Sequence, residues 1–310
     1  MIDTYTEFLY EFFDSIPGVG ESKIAILSSS LNSLKKFLYA NKDKLKLLKN
    51  EKNHRVLNDE QVTLVLKRRA FLKSDEPLEV ALVRVKALNF SRRAKELIEG
   101  ISANVIVEQG GVNPYMAKAL GFKTIDETVE FFVHRRVERS LGTSFGNILQ
   151  STLRILSGGR DGKEKISDQG KWIGWWDIVL SDRKVISVKS GPADMDADQV
   201  KECARKIEEA ESKGYKPYLA FAYGKEAFSV IGSTMTKLGL NPANYIRVGK
   251  GVFQEFVGGH YHNEILKVFG EASGEAGDIF ALTEEKIKHL TTELNKRFGS
   301  DLNKMLAAMF

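Results

Sequence analysis

Two short runs of aromatic and β-branched residues, 172–180 and 184–189, lie back to back across Ser181-Asp182-Arg183. With only three residues in which to reverse, they read as an antiparallel β-hairpin. Side chains two apart on a strand share a face. Ser187 and Lys189 therefore point the same way, toward Asp177 near the end of the first run. Helical spacing over 194–212, a strand at 216–223, a helix at 225–238 and a short strand at 245–248 continue the pattern as β-β-α-β-α-β. The preceding Ser157-Gly158-Gly159-Arg160-Asp161-Gly162 reads as a loop by composition.

The rest of the chain reads as helix. Apolar residues recur at three- and four-residue spacing over 5–13, 24–38 and 62–72, and no strand stands out before residue 100. Helical spacing returns after Asn113-Pro114, with Thr124 as the N-cap of 125–137 and with Gly142 and Gly146 in the next segment. Thr283 is expected to cap a C-terminal helix whose first turn carries Glu284 and Glu285. The 310 residues suffice for two cores. The expected division is a helical domain at 1–110 and an α/β (α+β) domain at 111–310.

Composition removes several classes of function. Cys203 is the only cysteine, which excludes an intrachain disulfide and a thiolate-cluster zinc site. No Gly-Lys-Ser/Thr closes a glycine-rich loop, so nucleoside triphosphate binding of that kind is not expected. The five histidines, at 54, 134, 260, 262 and 289, form no metal-ligand spacing, and His260-Tyr261-His262 reads as plain alternation. A chain with no secretory leader and no long uncharged apolar run is expected to be cytoplasmic, without membrane contact. The net charge of +5 is modest, but residues 42–73 hold ten Lys or Arg against four Asp or Glu.

Metal-dependent phosphodiester hydrolysis needs a cation held by carboxylates, an activated water and positive charge beside the developing oxyanion. Asp177 and Ser187-Val188-Lys189-Ser190-Gly191-Pro192 on one hairpin are of that kind. They resemble the PD-(D/E)XK superfamily, and in particular its Type II restriction endonucleases. The resemblance implies a restriction-endonuclease-like mixed sheet flanked by helices, with a helical N-terminal domain and Mg2+ as cofactor. It makes Asp177 the main metal ligand and gives Lys189 the attacking water and the phosphate. Ser187 stands where the second carboxylate is expected. Some restriction enzymes with that serine take the acid from the following helix, where Glu202 is the candidate and Asp194, Asp196 and Asp198 are alternatives. A Ser187-bound water and the Val188 carbonyl are the other way to complete the shell.

The segment 135–153, with Thr143-Ser144-Phe145-Gly146-Asn147-Ile148-Leu149, resembles the first core helix of the same enzymes. That helix often brings a glutamate to the metal; Glu138 is the candidate, and Gln150 stands where an acid is expected. Arg135, Arg136 and Arg139 are candidates for backbone phosphates. Gln199 is a candidate for orienting water or touching a base.

Near the N-terminus, Ile16-Pro17-Gly18-Val19-Gly20 followed by Lys23 and an apolar helix resembles a helix-hairpin-helix motif. There the glycines bare backbone N–H groups to a phosphate and Lys23 adds charge, so Gly18, Val19, Gly20 and Lys23 are DNA-binding candidates. Residues 87–101 are a candidate second, degenerate copy. Together these resemblances imply a Type II restriction enzyme cutting double-stranded DNA, acting as a homodimer and paired with a DNA methyltransferase. A structure-selective repair nuclease and a non-catalytic DNA-binding protein with a degenerate nuclease core are the alternatives.

Overall fold

The computed structural model describes residues 3–162, 175–191, 195–226, 229–275 and 277–310. Helices fill the first half: α1 (Thr4–Phe13), α2 (Glu21–Leu31), α3 (Leu34–Tyr39), α4 (Lys42–Leu47), α5 (Asp59–Arg69), α6 (Leu78–Glu99), α7 (Ala103–Val107), α8 (Pro114–Ala119) and α9 (Ile125–Leu156). The sheet region follows, with β1 (Arg160–Asp161), β2 (Ile178–Val179), β3 (Lys184–Lys189), α10 (Ala197–Ser212), β4 (Lys216–Phe221), α11 (Ser229–Lys237), α12 (Pro242–Tyr245) and β5 (Ile246–Val248). The chain then returns to helix in α13 (Lys250–Phe256), α14 (Tyr261–Ala272), α15 (Ile279–Phe298) and α16 (Leu302–Ala307). No helix among the described residues is long and apolar enough to cross a membrane.

The fold is mixed α/β. One five-stranded sheet runs β1-β2-β3-β4-β5, antiparallel from β1 to β3 and parallel from β3 to β5. The expected hairpin pairs Ile178 with Ile186 and Val179 with Val185. A parallel step from β3 to β4 requires a crossover, and α10 supplies it. Its stripe of Val200, Cys203, Ala204, Ile207 and Ala210 is buried, the spacing of an amphipathic helix on a sheet. Val185 joins the core cluster that holds Val200, Cys203 and Ile207, while Ile186 joins the one that holds Phe8, Phe12 and Leu153. Alternation along β3 thus puts apolar side chains into both faces of the sheet.

The chain forms two compact units, each made of discontinuous segments: Met1–Ala87 with Phe145–Glu271, and Leu88–Ser144 with Ala272–Phe310. This differs from consecutive domains divided at residue 110, and the reason lies in the core. Phe8, Phe12, Phe13 and Phe37 of the N-terminal helices are fully buried in one cluster with Ile178, Ile186 and Ala220 of the sheet. Burying each such side chain is worth about 1.5–3 kcal/mol relative to leaving it in water. The helices and the sheet therefore close a common core.

Several local expectations change. Arg160–Asp161, expected in a loop, is β1 and pairs with Ile178–Val179. The 24–38 segment is broken at Asn32-Ser33, because Ser33 accepts the N–H of Lys36 and caps α3. Of the candidate second copy at 87–101, residues 87–99 lie within α6, and Gly100-Ile101 begin the turn into α7. Thr124 caps α9 as expected, accepting the Glu127 N–H at 3.2 Å while Glu127 Oε2 accepts the Thr124 N–H. Thr283 is not a cap: α15 begins earlier with Asp278 as N-cap, and buried Thr283 donates its hydroxyl to Ile279 O at 2.7 Å.

Candidate active site

The hairpin register carries the candidate site. Continuing the pairing of Ile178 with Ile186 by one residue sets Asp177 opposite Ser187. Asp177 N–H donates to Ile186 O at 2.9 Å, which holds its backbone against β3. Its carboxylate then folds over the strand: Oδ2 accepts the Val188 N–H at 2.8 Å and lies 3.4 Å from the hydroxyl of buried Ser187. A backbone N–H on a carboxylate is a charge-assisted bond, stronger than its neutral counterpart. In a strand a residue's N–H and C=O point to the same edge, so the Val188 carbonyl is directed to the edge where Asp177 lies.

One helix contact on Asp177 comes from Gln150, whose Nε2 donates to Oδ1 at 3.1 Å. One turn earlier on α9, Gly146 sits so close to the end of β3 that a Cβ there would lie 2.8 Å from Ser190 Oγ. Close approach at Gly146 is what lets Gln150 reach the carboxylate. Gly142 has no such neighbour and lies exposed.

Lys189 shares the Ser187 face of β3 and is half-buried. Among the described residues its ammonium has no carboxylate partner. Cys203 of α10 feels its charge: burial pushes the thiol up to about 12, with Lys189 pulling the other way. A thiol so raised stays protonated and unreactive.

The acids of α10 are otherwise engaged. Glu202 takes a two-pronged contact from Arg205, at 3.0 and 2.5 Å, and this arginine holds its carboxyl below the usual range. Helix phase explains it, since Cys203 and Val200 occupy the inward stripe and leave Glu202 half-exposed beside Arg205. Asp198 pairs with Lys201 at 2.9 Å and is likewise held low. Asp196 is the N-cap of α10, accepting the Gln199 N–H at 2.8 Å, and Gln199 Oε1 accepts the Asp196 N–H in return. Gln199, a candidate for DNA, is thus half of a capping box. Asp194 lies outside the described residues. No group of three His, Cys, Asp or Glu able to hold a metal ion occurs among the described residues.

Glu138, Arg135, Arg136 and Arg139 belong to the second unit, in the part of α9 before Phe145. Glu138, Arg135, Arg136 and Arg139 are all exposed. Glu138 lines an open cavity of about 520 Å³ with Glu127, Glu130 and His134. The arginines line a different one, in which Arg135 alone is shared.

The glycine turn at Gly18 connects α1 to α2 as a hairpin of helices. Gly18 takes φ +72°, a left-handed conformation natural to glycine. Gly20 is the N-cap of α2 and brings no side-chain cap. Behind the turn, buried Gln61 donates to Pro17 O at 2.7 Å and accepts from Asn58 N–H at 3.1 Å and Lys23 Nζ at 3.2 Å. Lys23 therefore uses one of its three donors inside the fold.

The chain matches no protein-family model and no curated protein. Of the residues singled out by sequence, the structure joins Asp177, Ser187 and Val188 in one contact network and sets Lys189 on the same strand face. The Gln150 contact was signalled only by its position, where an acid was expected. The arginine cavity had a weaker signal, the i, i+1, i+4 spacing of Arg135, Arg136 and Arg139.

Proposed function

We propose that the chain is a magnesium-dependent endonuclease of double-stranded DNA with a PD-(D/E)XK-like core, acting as a Type II restriction enzyme. The observation that carries this reading is the Asp177 carboxylate pinned by the Val188 N–H at the hairpin that also bears Lys189. Support comes from the element order as well: a long helix, three antiparallel strands, a crossover helix and a parallel fourth strand.

The donor set fits magnesium, which is commonly bound through one or two carboxylates and keeps several waters. Asp177 and the Val188 carbonyl are the residues to hold it. Bound there, the ion supplies Lewis-acid stabilisation of a phosphoryl oxygen and a more acidic water. Lys189 steadies the scissile phosphate and manages the proton of the attacking water. Gln150 and Ser187 fix the orientation of the Asp177 carboxylate. Homodimerisation follows from the two-fold symmetry of duplex cutting, and a partner DNA methyltransferase from the restriction role.

A second reading, a structure-selective repair nuclease, is favoured by the α1–α2 turn. Its uncapped Gly20 N-terminus and Lys23 suit a backbone phosphate and read no bases. Incubation with plasmid and with branched DNA, with and without magnesium, separates the two: fixed duplex ends mark restriction, junction-dependent cutting marks repair. Asp177→Ala and Lys189→Ala are expected to reduce cutting to below about 1% of wild type while binding persists. Wild-type rates in either variant would sink the site, and binding without cutting by wild type would mark a non-catalytic DNA-binding protein.

A further inference from the structure

The second unit carries a basic cavity of about 470 Å³, bounded by α9 and the Gly110–Gly111 turn that leads into α8. Arg135, Arg136, Arg139 and Ser140 line it from α9, Asn113 lines it from the facing segment, and buried Phe132 closes its apolar side. Among the described residues no acid lines it. Elsewhere arginines meet carboxylates: Arg84 with Glu76 and Glu271, Arg154 with Glu7, Arg205 with Glu202, Arg297 with Glu108. The three cavity arginines meet none among the described residues. Arg135 instead turns Nη1 to the Met116 thioether at 3.3 Å, a weak acceptor that neutralises no charge.

Three guanidiniums on one concave wall repel one another, and an anion with several acceptor oxygens relieves that. Guanidinium forks match phosphate oxygens in pairs, and the Ser140 hydroxyl adds a further donor. A backbone phosphodiester carries its negative charge on two non-bridging oxygens, and each of these can accept from a different guanidinium.

We infer that this cavity is a discrete phosphate site, which grips one backbone phosphate of duplex DNA and gives the second unit a binding role of its own. The inference rests on the nuclease reading for its choice of ligand. The same phosphate chemistry is offered by free inorganic phosphate or a mononucleotide, and the test separates these sources. Such a grip positions DNA without reading its sequence.

The experiment uses the Asp177→Ala variant of the whole 310-residue chain, expected to bind without cutting, and follows a fluorescent duplex by anisotropy from about 50 to 200 mM salt. Arg136→Ala/Arg139→Ala in that background is expected to weaken binding roughly tenfold at the low end, equally for unrelated sequences. The slope of log affinity against log salt should flatten by about one unit for every phosphate that is no longer neutralised. Arg136→Lys/Arg139→Lys should keep most of the slope. Arg297→Ala, which removes an arginine already paired with Glu108, should change neither quantity. Thermal melts show whether each variant is folded.

Unchanged affinity and slope in the double alanine variant, with the parent protein still binding duplex, would overturn the cavity assignment and leave the nuclease reading standing. Calorimetric binding of inorganic phosphate that the double variant abolishes, with duplex affinity intact, would overturn the DNA assignment in favour of a free phosphate. Absence of both duplex binding by the parent and cutting by wild type would overturn the nuclease reading and this inference together.

Discussion

Three uncharged residues hold the Asp177 carboxylate at both of its oxygens. The Val188 N–H and the Ser187 hydroxyl hold one oxygen, and Gln150 holds the other. Because Gln150 is neutral, the carboxylate meets no like charge at that position of α9. Gln150→Glu would set a second carboxylate against Oδ1 and repel it in the apo protein. The expected outcome is a lower melting temperature without divalent ions and a larger magnesium-induced rise than in wild type, read by thermal denaturation. An unchanged response to magnesium would show that α9 does not border the metal site. The Asp177–Ser187–Lys189 set was legible because strand alternation is a local property of sequence. Gln150 was visible only as an oddity, since its contact depends on how closely Gly146 lets α9 approach Ser190.

Among the elements, the α1–α2 hairpin depends on a partner distant in sequence. Its turn is held from behind by Gln61, which also closes the α5 capping box with Asn58. Gln61→Leu would strip partners from the Pro17 carbonyl and the Asn58 N–H at once. Leaving such groups unsatisfied costs about 1–3 kcal/mol apiece, so chemical denaturation should register a destabilisation on the order of 2 kcal/mol. DNA affinity should fall with it if Lys23 and the turn hold a phosphate. A stability change under about 0.5 kcal/mol would mean that water replaces the amide at little cost. The turn itself was readable from Gly18 and Gly20. Its brace lies 44 residues away in sequence from Pro17 and left no local trace.

Across the first unit, Glu271 at the end of α14 reaches Lys73 at 2.9 Å and Arg84 of α6 at 2.5 Å. These two cations pull its carboxyl down to about 2. A carboxylate whose folded pKa lies below its unfolded value of about 4.3 contributes stability that is fully present above that value. The contribution is lost as pH falls toward the folded pKa. Glu271→Gln should therefore melt lower than wild type at pH 7, with the gap closing from roughly pH 4.5 down to pH 2. A gap independent of pH over that range would show that the ionised carboxyl contributes nothing. Local chemistry in the sequence determined the hairpin and its register, the amphipathic α10, the Thr124 cap and the glycine turn, because each depends on neighbours within a few residues. Tertiary structure alone decided the rest. It joined the N-terminal phenylalanines to the sheet in one core and, by packing Val200 and Cys203 inward, left Glu202 on the outer side of α10. It set Gln150 on Asp177 and left three arginines around a cavity that no described residue lines with an acid, because burial and charge pairing are settled by which surfaces pack together in space.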